Sequence, residues 1–381
     1  MTASEIRDVL SGVCEEDAWL EPLRRRLAPG ARVVSAMSGG VDSSVATALL
    51  VAAGFEVLGV SMRLGNSAPR VDGHSGCCSL DDFEDARRVS GRLGVPHYVV
   101  DMRRTFEEKV LDPFVETYLK GRTPNPCTLC NRDVKFDAFH DYARTTGAVA
   151  VATGHYCRIE DDAGELSLHV GCDPAKDQSY FLFTMGQAEL AETLFPVGGF
   201  AKDTVRAIAA ALDLPVAEKP ESQDICFVAG RSYADVVEER ADPAAIRPGR
   251  IVNAAGQVVG HHEGIHRFTV GQRRGVPGGM PEKFFVTGID ADSGDVTVGP
   301  GHELERRDLL VEGVCWTQQA FEGSAKVRLR HRHEPVACEV SRKGDEVVVA
   351  LPGGARGVTP GQAAVWYDGT RVLGGGWIAN R

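Results

Sequence analysis

The apolar run Ala31–Met37 leads directly into Ser38-Gly39-Gly40-Val41-Asp42-Ser43-Ser44, and Asp42–Ala53 continues rich in Ala, Leu and Val with no Gly or Pro. That order commits the segment to a strand, a tight loop and a helix. Two glycines let a backbone approach an anion closely. The unpaired N–H groups of the first helical turn, together with the helix dipole, favour negative charge at the same point. Ser38, Ser43 and Ser44 add hydroxyl donors. No Lys follows the glycines, so the loop is not of the GxxxxGK[ST] kind.

The first half of the chain extends this pattern. Strands are expected at Arg32–Met37, Phe55–Met62, His97–Asp101 and Ala148–Thr153, with helices between them. One helix should run from Ser79 to Leu93, Ser79 capping it and Asp82 closing a capping box; another should run from about Thr105 to Leu119. Such alternation predicts an α/β fold with a doubly wound parallel sheet. In such a sheet the ligand lies beyond the carboxyl ends of the strands, where the Gly-rich loop falls. Past about Tyr233 the texture changes to short β-like runs: Arg250–Asn253, His266–Thr269, Phe284–Ile289, Asp295–Val298, Ala325–Arg332, Ala337–Ser341, Glu346–Leu351 and Ala363–Tyr367. Turn signals separate them, as in small β modules or a barrel. The expected organisation is therefore a helical extension over 1–30, an α/β catalytic domain over 31–232, a small β-rich central domain over 233–298 and a C-terminal β-barrel over 299–381.

No apolar run approaches the roughly 20 residues that span a bilayer. Glu5, Arg7 and Asp8 leave no room for an apolar leader, so a cytoplasmic protein is expected. Ten cysteines in a reducing compartment point to chemistry or metals before structural bridges. The net charge of −11 argues against non-specific nucleic-acid binding but leaves room for a local basic face.

Three cysteine sites stand out: Cys77-Cys78, the pair Cys127 and Cys130, and Cys226. Thr123-Pro124-Asn125-Pro126 predicts an extended approach to the CxxC, and Asn131–Phe139 reads as a helix. Cys130 would then lie at a helix N-terminus, where a thiolate is stabilised. Cys77, Cys78, Cys157 and Cys338 read as small buried apolar residues.

The loop resembles the pyrophosphate loop of the N-type ATP pyrophosphatases. Taken with Cys77-Cys78-Ser79, Gly121–Asn131, Ala152-Thr153-Gly154-His155-Tyr156, Lys176-Asp177-Gln178-Ser179-Tyr180, Glu221-Ser222-Gln223-Asp224-Ile225-Cys226-Phe227, His266–Arg273 and Pro360–Val365, the chain resembles the tRNA-specific 2-thiouridylases from about residue 32 to 370. The resemblance implies a PP-loop domain of the adenine nucleotide alpha-hydrolase type and replacement of O2 of the wobble uridine by sulfur. It places ATP, with Mg²⁺, on Ala36, Met37, Ser38, Gly39, Gly40, Val41, Asp42, Ser43, Met62 and Gly154. It makes Cys130 the nucleophile and Cys226 the persulfide carrier, the two forming a transient disulfide. It puts the target base on Asn125, Pro126 and Cys127, and tRNA on His155, Lys176, Asp177, Gln178 and Gln362. The implied partners are tRNAs of the Lys, Glu and Gln type, a persulfide donor such as a cysteine desulfurase or sulfur relay protein, and a thiol reductant. Many members carry Asp where this chain has Cys127.

Two alternatives stay open at this point. The ATP chemistry could serve another acceptor, as in amidotransferase-like or argininosuccinate-forming relatives. Cys127, Cys130 and Cys226 could instead hold an iron–sulfur cluster. Lys326, Arg328, Arg330 and Arg332 recur every second residue and would share one strand face, a basic stripe suited to phosphates. Arg267, Arg273 and Arg274 are further candidates for a tRNA surface. His262 and His266 read as satisfied loop histidines and not as metal ligands.

Overall fold

The computed structural model describes every residue except 16–18, 66–78, 163, 222–224, 229, 279–281, 345 and 381. Cys77, Cys78 and Ser222-Gln223-Asp224 lie outside the described residues. The helices are α1 (Ala3–Leu10), α2 (Leu20–Arg26), α3 (Val41–Ala52), α4 (Leu80–Leu93), α5 (Arg103–Phe106), α6 (Asp112–Leu119), α7 (Pro126–Leu129), α8 (Phe139–Thr145), α9 (Gln187–Ala191), α10 (Lys202–Ala211) and α11 (Tyr233–Arg240). The strands of the first half are β1 (Arg32–Ala36), β2 (Glu56–Arg63), β3 (His97–Asp101), β4 (Ala150–Ala152), β5 (Cys157–Asp162), β6 (Glu165–Val170) and β7 (Thr193–Leu194). Those of the second half are β8 (Gly249–Asn253), β9 (Val258–His262), β10 (Phe284–Ile289), β11 (Val296–Pro300), β12 (Glu305–Trp316), β13 (Gly323–Arg328), β14 (Val336–Lys343), β15 (Glu346–Arg356), β16 (Ala363–Asp368) and β17 (Arg371–Ile378).

Contacts divide the chain into two units. The first takes in 1–109, 129–229 and 370–372. Its sheet has the order β3-β2-β1-β4-β7 and is parallel throughout, as the alternating pattern predicted. Val33, Val34, Ser35 and Ala36 of β1 are all buried, the mark of a strand covered on both faces. Ten of the twelve residues of α3 are buried, so this helix is enclosed on every side. The covering comes partly from residues 1–30. Ile6 and Leu10 of α1 and Leu20 and Leu23 of α2 share one apolar cluster with Val45 and Leu49 of α3. The Ser79–Asp82 capping box of α4 is formed as expected: Ser79 Oγ accepts from the Asp82 N–H at 3.2 Å, and Ser79 N–H donates to Asp82 Oδ2 at 3.0 Å.

The second unit takes in 110–128, 230–369 and 373–381. A four-stranded sheet in the order β10-β11-β8-β9 packs Ile251, Phe268, Val286, Val296 and Val298 together. Strands β12-β15-β14-β13-β16-β17 form a barrel that closes through pairing of β12 with β17, around Val311, Val327, Val340, Val349 and Trp366.

Two sequence expectations in this unit are corrected. The expected strand His266–Thr269 is replaced by a single tight turn at Ile265–Arg267, because the side chains of His266 and Arg267 both close on Glu238 of α11. The expected strand Ala325–Arg332 ends at Arg328, where its pairing with β14 and β16 stops. Arg330 and Arg332 follow in a turn, so the four basic residues do not share one strand face. Lys326 is exposed, whereas Arg328 is half-buried with its guanidinium 5.1 Å from the centroid of the Tyr367 ring.

Candidate nucleotide site and the cysteines

A cavity of about 350 Å³ opens at the carboxyl end of β1, where the doubly wound arrangement predicts a ligand. Ala36, Met37, Ser38, Gly40, Val41, Asp42, Ser43, Met62 and Gly154 line it, which is every residue expected to meet ATP except Gly39. Gly39 has φ +72° and lies against the backbone of Asp82 at the start of α4. Gly154 is needed for close approach: a Cβ there would stand 2.7 Å from the Ser43 nitrogen. Ser44 is fully buried and donates to the Gly40 carbonyl at 2.8 Å, so its hydroxyl serves the loop, in contrast to the expectation of a ligand donor. Ser43 Oγ accepts from the Ser38 N–H at 3.2 Å and fixes the loop from inside.

Charge around the cavity is tightly paired. Asp42 Oδ1 accepts from the Tyr156 hydroxyl at 2.7 Å and from Lys202 Nζ at 2.7 Å. Lys202 Nζ also meets Glu221 Oε1 at 2.7 Å, and Glu221 Oε2 meets Lys176 Nζ at 2.6 Å. Burial alone would raise the Glu221 carboxyl, but hydrogen bonds from the two lysines outweigh it and hold the group below its ordinary value. Burial, and then the neighbouring Asp42, push the Tyr156 phenol far up, so it stays a donor. Lys219 Nζ bonds the Gly39 carbonyl at 2.8 Å, Asp82 Oδ1 at 2.7 Å and Asp85 Oδ2 at 2.6 Å, tying the loop to α4. Sequence reasoning missed Tyr156, Lys202, Lys219 and Glu221 as site residues. No local motif marks Lys202, which stands 160 residues from its partner Asp42.

The residues expected to touch tRNA fall in two places. Lys176, His155 and Gln178 line the nucleotide cavity. His155 is 8% exposed between Phe136 and Phe195, with Nδ1 2.6 Å from Thr153 Oγ1. Gln178 Oε1 accepts from the Tyr156 N–H at 3.0 Å. Asp177 is buried and accepts from the N–H and hydroxyl of Ser179, both at 3.0 Å. Gln362, in the second unit, donates through Nε2 to the carbonyls of Thr123 at 3.2 Å and Pro124 at 2.9 Å, and so holds the segment that precedes Asn125.

The helix around the CxxC begins earlier than the sequence suggested. Pro126 opens α7, and Asn125 Oδ1 accepts from the Thr128 N–H at 3.3 Å as an N-cap does. The chain stays helical through a π-helical stretch, Cys130–Ala138, into α8. Cys127 therefore sits in the first turn, and Cys130 one turn further in. Cys130 therefore does not occupy the helix N-terminus that the sequence suggested. Cys130 is 8% exposed, at the start of the π-helical stretch, a feature frequent at functional sites. Phe227, beside Cys226, meets Phe106 of α5 edge-on at 6.0 Å, and α5 also packs on the Cys130–Ala138 turns. Both segments are thus anchored on one short helix. None of the eight described cysteines is disulfide-bonded. Cys157 and Cys338 are buried, as expected, and burial pushes both thiols up, Cys338 to about 12. Among the described residues no three His, Cys, Asp or Glu side chains converge to hold a metal ion, so the alternative three-thiolate cluster set is not assembled. His266 Nε2 lies 2.8 Å from Glu238 Oε1, as a satisfied histidine does, whereas His262 places Nε2 3.0 Å from the Gly294 carbonyl but leaves its buried Nδ1 with no hydrogen-bond partner among the described residues.

A Gly-rich loop at the switch from β1 to α3, facing a cavity rich in ammonium groups, defines a nucleotide-binding α/β protein of the phosphate-loop class. Family models agree: residues 31–230 match the tRNA methyl transferase HUP domain, 235–300 the tRNA methyl transferase PRC-barrel domain and 306–378 the aminomethyltransferase beta-barrel domain. The chain is 48% identical over 357 residues to the tRNA-specific 2-thiouridylase MnmA of Geotalea uraniireducens, covering 91% of this chain and 94% of that one. It is 47% identical to the MnmA of Geobacter metallireducens, over 91% and 96% of the two chains, and 46% identical to that of Sorangium cellulosum, over 96% of each. The chain belongs to the tRNA-specific 2-thiouridylase family. No described helix is long and apolar enough to cross a membrane.

Proposed function

We propose that the protein replaces O2 of the wobble uridine of tRNA with sulfur, using ATP and a protein persulfide. The observation that carries this reading is the phosphate-loop cavity at β1, in a chain whose relatives are named for 2-thiouridylation across nearly their whole length. ATP, with Mg²⁺, supplies an adenylyl group that turns O2 into a good leaving group. Gly40, Ser38 and Ser43 grip the phosphates, and Gly154 keeps the adjoining loop close against α3. Cys226, loaded as Cys226–S–S⁻, attacks C2 and AMP departs with the former O2. Cys130 then attacks Cys226 Sγ and breaks the S–S bond, leaving sulfur on C2 and a Cys130–Cys226 disulfide. Two thiols are oxidised while the sulfane sulfur is reduced, so a dithiol reductant must reset the pair. A desulfurase or sulfur relay protein reloads Cys226. Asn125, Pro126 and Cys127 receive the base, and tRNAs of the Lys, Glu and Gln type are the substrates in the cytoplasm.

Cys130→Ser and Cys226→Ser test the sulfur steps. Each variant should still fold and release pyrophosphate in the presence of tRNA, while 2-thiouridine, measured by nucleoside mass spectrometry, drops to background. Full thiolation by either variant overturns the two-cysteine mechanism. ADP and orthophosphate as the first products would overturn the assignment of the loop.

A further inference from the structure

Lys176, Glu221, Lys202 and Asp42 form a line of alternating charge along the wall of the nucleotide cavity. Lys176 Nζ lies 2.6 Å from Glu221 Oε2, Glu221 Oε1 2.7 Å from Lys202 Nζ, and Lys202 Nζ 2.7 and 2.9 Å from the two Asp42 oxygens. Lys176, Glu221 and Asp42 line the cavity, and Lys202, 6% exposed, stands behind the two carboxylates. Arg206 approaches Glu221 only to 3.9 Å, and its guanidinium donates to the Ala217 and Lys219 carbonyls. Lys176 and Lys202, the ammonium groups of this wall, are therefore already paired with carboxylates of the chain itself, Lys176 with Glu221 and Lys202 with both Glu221 and Asp42.

We propose that Glu221 is a specificity-determining residue that makes the cavity accept its polyphosphate as the magnesium complex and reject the bare anion. This inference rests on the nucleotide reading given above. A bare polyphosphate needs the charge of Lys176 and Lys202 and must compete with Glu221 for it. A magnesium complex brings its own cation, and a carboxylate beside it is tolerated. Glu221 thereby sets charge selectivity without touching the reacting atoms.

The test uses inorganic pyrophosphate as probe and calorimetry on the full-length protein, with EDTA or with Mg²⁺. Wild type should bind pyrophosphate at least about tenfold more tightly with Mg²⁺, the effect expected when a unit charge a few ångströms away is compensated. Glu221→Gln should tighten metal-free binding by about tenfold and shrink the magnesium effect. Lys202→Met should act in the opposite direction and weaken metal-free binding further. Lys176→Gln alters a partly exposed side chain. It should weaken metal-free binding more than binding of the complex, and it carries the test should Glu221→Gln fail to fold. Metal-free affinity unchanged or lower in Glu221→Gln, or equal weakening of both forms in Lys176→Gln, overturns the proposal. Wild type that binds pyrophosphate in neither condition overturns the nucleotide reading and this inference with it.

Discussion

Alanine in place of Gly39 separates what the phosphate loop needs to fold from what it needs to bind. At φ +72° a non-glycine residue costs roughly 1–2 kcal/mol. The added Cβ would also stand 2.8 Å from the Asp82 Cα and carbonyl carbon, and closer to the oxygen. Asp82 cannot yield easily, since Ser79 caps its backbone and Lys219 holds its carboxylate at 2.7 Å. Overpacking of that kind costs about 1–3 kcal/mol. Together the two terms reach roughly 2–5 kcal/mol, which at about 2–4 °C per kcal/mol lowers Tm by roughly 4–20 °C. Gly40→Ala is the matched control. Gly40 has φ −96° and ψ 167°, open to any residue, and its added Cβ would make an ordinary 3.5 Å contact with Ser38 Oγ. That variant should melt with the wild type yet lose pyrophosphate affinity, because its Cβ enters the cavity. Scanning calorimetry and pyrophosphate titration on both variants read the result. Gly39→Ala melting with the wild type, or Gly40→Ala melting as low as Gly39→Ala, would refute the reasoning.

Gln362→Ala removes two donors from the Thr123 and Pro124 carbonyls and should cost ~1–3 kcal/mol in chemical unfolding; it should slow thiolation with tRNA affinity unchanged, whereas a weakened tRNA Kd at wild-type stability would mark a direct contact. Burial, with Lys135 adding to it, holds the His155 imidazole well below its ordinary value. The unfolded chain protonates there as pH falls through about 6.5. The folded chain does not, so stability drops by ~1.4 kcal/mol per pH unit below that point. His155→Gln should remove that part of the slope from urea unfolding between about pH 6.5 and 5, and an unchanged slope would show that His155 is not held neutral. Lys326→Gln with Arg330→Gln, both exposed, should reduce the salt dependence of tRNA binding by about 1.8, from ~0.9 per phosphate contact; an identical salt slope in the double variant would assign both residues to plain solvent-facing surface.

The phosphate loop was legible because everything it needs is local: an apolar strand, two glycines and a helix with no breaker. The Ser79–Asp82 box was legible for the same reason. The start of α7 was legible too but was read wrongly. Asn125-Pro126 is an N-cap followed by Pro at the first helical position, and taking it as extended misplaced Cys130 by a turn. The hairpin β5–β6 gave little signal, since Arg158, Glu160, Asp161 and Asp162 leave it few apolar residues. The Asp42–Lys202–Glu221 network was out of reach, because its members are brought together by the sheet and carry no spacing that a linear reading can use.

The match to the HUP domain begins at residue 31, but the part that folds does not. Ile6, Leu10, Leu20 and Leu23 share one apolar cluster with Val45 and Leu49 of α3, and α3 is the helix that the phosphate loop opens into. Excision at the boundary that similarity suggests would leave a greasy flank on the very helix whose first turn lines the nucleotide cavity. The resulting fragment would be prone to clump before it could be assayed, and its inactivity would say nothing about the chemistry of the loop.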